Sequence, residues 1–156
     1  MRVAMVAMET AHHRDTRGAH RFDRIASQLA DAGHDVTVFC AQWWDERRTA
    51  REIDGVRYRG VTLGPATAAF CARIPALLAA HRPDVIHVTP SPAEQVIAAR
   101  TGGVIARSPL VLEWFGDEGL DAEAWLTERA VRTPAMVVTP SEMIRTEVRE
   151  LGATEA

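Results

Sequence analysis

The sequence predicts a single α/β domain with a Rossmann-like, doubly wound and mainly parallel sheet and helices on both faces. Short β-branched segments alternate with longer amphipathic segments along the whole chain. No internal repeat, linker or low-complexity tract interrupts this alternation. The 156 residues, 47% hydrophobic and 25% charged, are enough for one domain with a substantial core.

The first 41 residues read as one βαβ unit, which requires parallel strands and a right-handed crossover. Residues 2–8 form an apolar strand, residues 19–32 a helix ended by Gly33, and residues 35–40 a second strand. The helix carries one apolar stripe at i, i+3, i+4 and i+7, formed by Phe22, Ile25, Ala26 and Leu29.

The middle of the chain continues the alternation. Residues 53–61 predict a short strand or hairpin exposed on one face, and residues 66–80 a helix bent near Pro75. A buried strand follows over residues 83–88. Ser91, Pro92 and Glu94 then have the chemistry of a helix start, with Ser91 as the N-cap. We expect this helix to end at Gly102 and Gly103.

The last third adds two more strands, over residues 109–113 and 135–139, with a helix over residues 123–131 between them. Ser141 is expected to cap a final helix that ends at Gly152.

Composition excludes several classes of function. The net charge of −3 does not suggest a nucleic-acid partner, and the chain contains no lysine, which excludes a P-loop and a catalytic lysine. The apolar start is too short for a membrane span and has no cleavage site, so we expect a cytoplasmic protein. Cys40 and Cys71 lie in apolar runs and are expected to be reduced, buried thiols.

In open α/β sheets, ligands bind beyond the carboxyl ends of the strands. Here those ends lead into polar residues 9–20, 89–91 and 113–119. The first segment lacks G-x-G-x-x-G, so no dinucleotide fingerprint is present. Its Thr16, Arg17 and Gly18, ahead of a helix, fit an anion site and a plain surface loop equally well.

These segments and the strands that lead into them contain several histidines and one carboxylate in a buried context. His12, His13 and His20 have no metal-binding spacing, so no metal is expected, and His20 is the best placed to face the cleft. His87 reads as a packed, hydrogen-bonded strand residue rather than a ligand contact. Glu113, at the end of a buried strand, is the most suggestive titratable group, because a buried carboxylate needs a wet cleft or a partner.

Acidic residues after Glu113 have a simpler interpretation. We expect Asp121 and Glu123 to serve as N-cap and first-turn charges of the following helix. Asp117 and Glu118 precede them in the same segment.

Four segments in register resemble family 4 glycosyltransferases. Residues 29–38 (LADAGHDVTV) resemble the family's L-x-x-x-G-H-x-V-x-V element, and residues 82–88 (RPDVIHV) its x-P-D-V-I-H-x-H strand. Residues 108–116 (SPLVLEWFG) are similar to its P-x-V-x-E-x-R-G strand and loop. Residues 138–145 (VTPSEMIR), with the later Leu-Gly pair at 151–152, resemble the element that closes the N-terminal domain.

The resemblance implies a GT-B enzyme of two Rossmann-like domains, in which the N-terminal domain binds the sugar acceptor and the C-terminal domain the nucleotide-sugar donor. It implies transfer with retention and no metal or other cofactor, and it leaves open peripheral membrane association of a full-length parent. The implied site residues fall into three groups. Arg17, Gly18 and His20 would form the donor-facing loop, Glu113 (as catalytic residue), Trp114, Gly116 and Ser91 the acceptor pocket, and Ser141 and Arg145 the cleft wall.

Residues 1–156 would then be the N-terminal half alone, with the donor-binding domain absent and no activity of its own. The chain departs from the family pattern in having Thr89 in place of the second histidine of H-x-H, and only Gly18 in the first loop. The alternative is a stand-alone binding module for a small anionic ligand or a partner protein. A Rossmann-like epimerase or dehydrogenase is a third option, disfavoured by the missing G-x-G-x-x-G.

Overall fold

The computed structural model describes residues 1–45, 47–116 and 124–153. Its strands are β1 (Arg2–Val6), β2 (Asp35–Ala41), β3 (Ala50–Ile53), β4 (Val56–Thr62), β5 (Val85–Val88), β6 (Leu110–Glu113) and β7 (Met136–Val138). Its helices are α1 (Arg17–Asp31), α2 (Thr67–His81), α3 (Ala93–Ala106), α4 (Ala124–Arg132) and α5 (Glu142–Glu150).

The strands form one sheet in the order β3-β4-β2-β1-β5-β6-β7. Every neighbouring pair is parallel except β3 and β4, which form an antiparallel hairpin at one edge. The hairpin turn is Asp54-Gly55, with positive φ at both residues, as a two-residue type I′ turn requires. The sheet confirms the predicted Rossmann-like fold class and the hairpin.

The core lies on both faces of the sheet, because successive strand side chains point to opposite sides. On one face, Val3 and Met5 of β1 cluster with Phe22 and Ala26 of α1. On the other face, alternate strand residues cluster with the helices α2 to α5, through side chains such as Phe70, Ile74, Leu78, Val96 and Val148. The predicted placement of helices on both faces is thereby confirmed.

The position of β1 creates the crevice that a site needs. From β1 the chain moves to β2 on one side, whereas β5 pairs with the other side of β1. This reversal is a topological switch point, where the loops after β1 and β5 leave in opposite directions and open a gap between them.

Two expectations about α3 are wrong. Pro92, not Ser91, occupies the N-cap position, and no side chain caps the helix. The helix also continues through Gly102 and Gly103 to Ala106, where Arg107 in the left-handed region ends it. The glycines serve packing instead of termination, because a Cβ on Gly102 would lie 2.9 Å from the Leu78 side chain of α2.

Other predicted elements agree with the structure within a few residues. Ser141 caps α5, its hydroxyl oxygen accepting the Ile144 N–H at 3.4 Å. Helix α1 begins earlier than predicted, at Arg17, because Thr16 caps it. The expected roles of Asp117, Glu118, Asp121 and Glu123 concern residues outside the described ranges. None of the helices in those ranges is long and apolar enough to cross a bilayer.

Gly102→Ala should destabilise the domain by about 1–3 kcal/mol, because the added methyl group must displace Leu78 or the backbone at Pro75. Chemical denaturation measures this change. Gly64→Ala is the matched control, since no atom lies within 4 Å of the position of its Cβ, and it should change stability by less than about 0.5 kcal/mol. Equal effects of the two substitutions would contradict the packing role of Gly102.

Both cysteines are free thiols, Cys40 buried and Cys71 partly buried. Burial raises the pKa of Cys40 from 9.0 to about 12, with Asp23 adding to the shift. Burial, together with Glu94, raises the pKa of Cys71 to about 11. The expectation of buried thiols is therefore confirmed for Cys40, while Cys71 is only partly buried.

Both thiols should react slowly with thiol reagents in the native state, because the thiolate is the reactive form. At pH 8 only about one Cys71 in a thousand is ionised for a pKa of about 11, against about one in ten for a pKa of 9.0. Ellman's reagent should therefore react with the folded chain at least about tenfold more slowly than with the urea-unfolded chain. Equal rates would show that the thiols are accessible and unshifted.

Candidate functional site

A pocket lies at the switch point, between the carboxyl ends of β1, β5 and β6 and the amino end of α1. It holds about 650 Å³ of empty space, part of it open to solvent. Its walls are formed by Glu9, Arg14, Thr16, Gly18, Ala19, Thr89, Pro90, Ser91, Glu113 and Phe115. All three polar segments that the sequence singled out contribute to it.

Glu113 ends β6 with its side chain 5% exposed and is held by a cation from α1. Arg21 Nε donates to Glu113 Oε1 at 2.5 Å. The second oxygen, Oε2, lies 3.1 Å from His87 Nε2 on the neighbouring strand, but the two atoms do not have hydrogen-bond geometry. Neither atom has a hydrogen-bond partner within the described part of the chain. The carboxylate therefore has one fixed oxygen and one oxygen available to a donor.

Arginines from α1 and its preceding loop surround the pocket. Arg17 and Arg21, one turn apart on α1, place their guanidinium carbons 5.7 and 5.8 Å from the centre of the Phe115 ring. Arg14 pairs with Glu9 at 2.8 Å. The first turn of α1 contains no acidic residue, so the positive end of its dipole is not neutralised from within the helix.

The walls formed by the loops after β1 and β5 are joined by one buried amide. Gln95 of α3 is fully buried, and its Oε1 accepts the Met8 N–H at 2.9 Å. Its Nε2 lies 2.7–2.8 Å from Thr89 O, Thr89 Oγ1 and Ser91 O, and its two hydrogens are shared among these three acceptors. Sequence reasoning missed Gln95, because a glutamine inside an apolar helix gives no sign of the distant backbone it serves.

The predicted site residues separate into groups. Gly18, Ser91 and Glu113 line the pocket. Arg17 lies beside it, against Phe115. His20 is exposed and its Nε2 lies 2.7 Å from Asp15 Oδ1, outside the residues that line the pocket.

Trp114 is 4% exposed and belongs to the core. The backbone N–H of Trp114 donates to Val138 O at 2.9 Å and so joins the end of β6 to β7. The next residue, Phe115, faces the pocket in its place.

Ser141 and Arg145 line a second, shallow depression after β7, which shares no residue with the main pocket. Ser141 caps α5 there, and Arg145 lies 3.3 Å from Glu142. Gly116, with φ of +94°, brings the loop after β6 against α5, since a Cβ on it would lie 2.8 Å from Ile144 Cδ1.

The loop after β1 is anchored by residues that do not line the pocket. The His12 ring stacks on Trp43 with centroids 3.9 Å apart, and Asp23 accepts the Ala11 N–H. His13 accepts the Thr10 N–H, and burial lowers its pKa. Among the described residues no group of three His, Cys, Asp or Glu side chains could hold a metal ion.

Fold and pocket together define a Rossmann-like α/β domain with a ligand pocket at its switch point. A family model described as "Glycosyl transferase 4-like domain" matches residues 18–156. The chain belongs to this glycosyltransferase family.

Among solved structures the chain is similar to sucrose-phosphate synthase from Thermosynechococcus elongatus, with a TM-score of 0.73 and 12% sequence identity. The match covers 99% of this chain and 46% of that chain, so the chain spans about half the length of this structural relative. At that identity the likeness establishes the shared fold. A search among curated proteins finds no significant match.

Replacing Arg21 with methionine should destabilise the domain by about 2 kcal/mol, because Glu113 would lose its cation while remaining buried. Arg17→Met is the control, since Arg17 contacts the same Phe115 ring from the same face of α1 but forms no ion pair with Glu113. It should cost about 0.5 kcal/mol. In a double-mutant cycle the Arg21 effect should largely vanish in the Glu113→Gln background, and an undiminished effect would contradict the pairing.

Proposed function

We propose that residues 1–156 form the N-terminal, acceptor-binding half of a glycosyltransferase. The parent enzyme would move a sugar from a nucleotide diphosphate sugar to an acceptor hydroxyl group. Membership of the glycosyltransferase family supports this proposal, as does the match to about half of a longer enzyme of the same fold. A donor-binding second half would complete the cleft, and the N-terminal half alone would be inactive.

The observation that carries the proposal is the free oxygen of Glu113. Glu113 is a nine-tenths buried carboxylate that lines the pocket, and its Oε2 makes no hydrogen bond with the described residues, although His87 Nε2 lies 3.1 Å away. Such an oxygen is suited to accept a hydrogen bond from a hydroxyl group. We assign Glu113 the catalytic role of orienting the acceptor hydroxyl for attack, with Arg21 fixing the carboxylate.

The other proposed site residues act around this carboxylate. Arg17 and Gly18, at the amino end of α1, would face the donor, where backbone N–H groups and a guanidinium suit a diphosphate. His20 would also belong to the donor-facing loop, and Ser91 would line the acceptor pocket. Trp114 and Gly116 would shape the pocket through the backbone that presents Phe115, and Ser141 and Arg145 would form the outer cleft wall.

Chemistry of this kind rests on electrostatics and positioning, so the proposal includes transfer with retention and without a bound metal or other cofactor. The partners would be the acceptor and the donor, and no nucleic acid. Peripheral membrane association would be a property of the longer parent. The proposed location is cytoplasmic, a reducing compartment in which the free cysteines Cys40 and Cys71 would stay as thiols.

Glu113→Gln tests the catalytic assignment in the enzyme that includes the second half. We expect kcat/KM for the sugar acceptor to fall at least about 100-fold, while affinity for the nucleotide sugar is unchanged. The glutamine amide would present either an N–H group or a carbonyl oxygen that accepts hydrogen bonds more weakly than the carboxylate. Glu128→Gln on α4 is the control and should leave both constants unchanged. Wild-type acceptor kinetics in Glu113→Gln would remove Glu113 from the site.

The division of labour between halves is tested by thermal shift against a panel of nucleotide sugars, on residues 1–156 and on the longer parent. We expect stabilisation by the donor only in the longer protein. The second candidate function is a stand-alone binding module, because arginines lie around the amino end of α1. Tight binding of an anionic ligand by residues 1–156 alone would favour this candidate.

A further inference from the structure

The loop after β5 holds a hydroxyl group whose hydrogen-bonding direction is fixed by the protein. Thr89 is half-buried, lines the pocket, and continues β5 through a bond from its N–H to Val6 O at 3.1 Å. Its carbonyl oxygen and its Oγ1 both accept from Gln95 Nε2, at 2.8 and 2.7 Å. Of its polar groups, only the hydroxyl hydrogen is not engaged by these bonds.

The direction of the Gln95 amide follows from its partners. The Met8 N–H needs an acceptor, so Oε1 must face β1, and the carbonyl oxygens of Thr89 and Ser91 need donors, so Nε2 must face them. An amide nitrogen does not accept hydrogen bonds, so Thr89 Oγ1 is the acceptor in its contact with Nε2. The Thr89 O–H must therefore donate to something other than Gln95.

Glu113 has the polarity that complements Thr89. Val88 of β5 pairs with Leu112 of β6 as the last pair of this ladder. The next residues along the two chains are Thr89 and Glu113, and both line the pocket. Glu113 offers Oε2, an acceptor without a hydrogen-bond partner in the described chain. A hydroxyl group both accepts and donates, so one hydroxyl of a ligand can satisfy Thr89 and Glu113 together.

We propose that Thr89 is a specificity-determining residue that donates to a hydroxyl oxygen of the acceptor, with Gln95 fixing its direction. The inference rests on the proposed function and sharpens it. The acceptor would be a polyol or carbohydrate that presents one hydroxyl to the Thr89–Glu113 pair. An acceptor without that hydroxyl would leave both groups unpaired in a half-buried pocket, which is a strong basis for rejection.

The test measures binding of methyl α-D-glucopyranoside, methyl α-D-mannopyranoside and myo-inositol to residues 1–156 by ligand-observed NMR titration. The tightest of these probes is then compared with its monodeoxy analogues. Thr89→Val should weaken the parent probe about tenfold, whereas Thr89→Ser, which keeps the hydroxyl, should stay within about threefold of wild type. One monodeoxy analogue should bind wild type and Thr89→Val equally, because it lacks the recognised oxygen.

Stability should not confound this result, because Thr89→Val retains the backbone bonds and leaves Gln95 Nε2 with two carbonyl acceptors. Thr89→Ala replaces it in the same test if the valine variant does not fold. Thr37→Val is the matched control. Thr37 lies on β2 outside the pocket-lining residues, and its buried hydroxyl has no hydrogen-bond partner among the described residues, so probe binding should not change.

The possible outcomes distinguish failure of the proposed Thr89 role from failure of the proposed acceptor-binding function. If Glu113→Gln weakens the probe but Thr89→Val does not, the inference fails and the proposed function stands. The same conclusion follows if every monodeoxy analogue remains sensitive to Thr89→Val. If none of the probes binds wild type, the acceptor-binding function fails, and the inference fails with it.

Discussion

The pocket depends on a buried amide that joins two strands at the point where their loops separate. The loops after β1 and β5 diverge at the switch point, and nothing in strand pairing holds them at a fixed spacing beyond the last ladder bonds. Gln95 reaches this point from α3 and satisfies a donor on one loop and acceptors on the other. Because it is fully buried, any change in the spacing would leave a polar group unpaired, so the spacing is held strongly.

A second constraint comes from charge. Glu113 sits at the end of a buried strand, where an isolated carboxylate would be very unfavourable, and Arg21 of α1 provides the compensating cation. This pairing also places α1, because the same helix face presents Arg17 and Arg21 to Phe115. The amino end of α1, the end of β6 and the loop after β5 therefore form one preorganised unit around the pocket.

Local patterns in the sequence predicted nearly all of the elements, because alternation of short β-branched and longer amphipathic segments is a local property. They failed where one residue type serves two purposes. Gly102 and Gly103 match a helix end, yet they allow close approach of α2 to α3. Glu113 could be singled out because its burial was readable from its neighbours. Arg21 and Gln95 could not, because Glu113 lies 92 residues from Arg21, and Met8, the partner through which Gln95 joins the two loops, lies 87 residues from Gln95.

In the proposed enzyme, acceptor recognition and sugar transfer would make different demands on the pocket. In the proposed site, the hydrogen-bond donor at Thr89 and the hydrogen-bond acceptor at Glu113 depend on the sheet, on Gln95 of α3 and on Arg21 of α1. All of these lie within residues 1–156, so hydroxyl recognition would not need a second domain. Sugar transfer makes a further demand, because water in an open site competes with the acceptor for the activated sugar. Part of this pocket is open to solvent, so a second surface has to cover it before transfer can outrun hydrolysis. In the proposed enzyme the donor-binding half supplies that surface, and binding the donor there would couple closure to the arrival of the sugar.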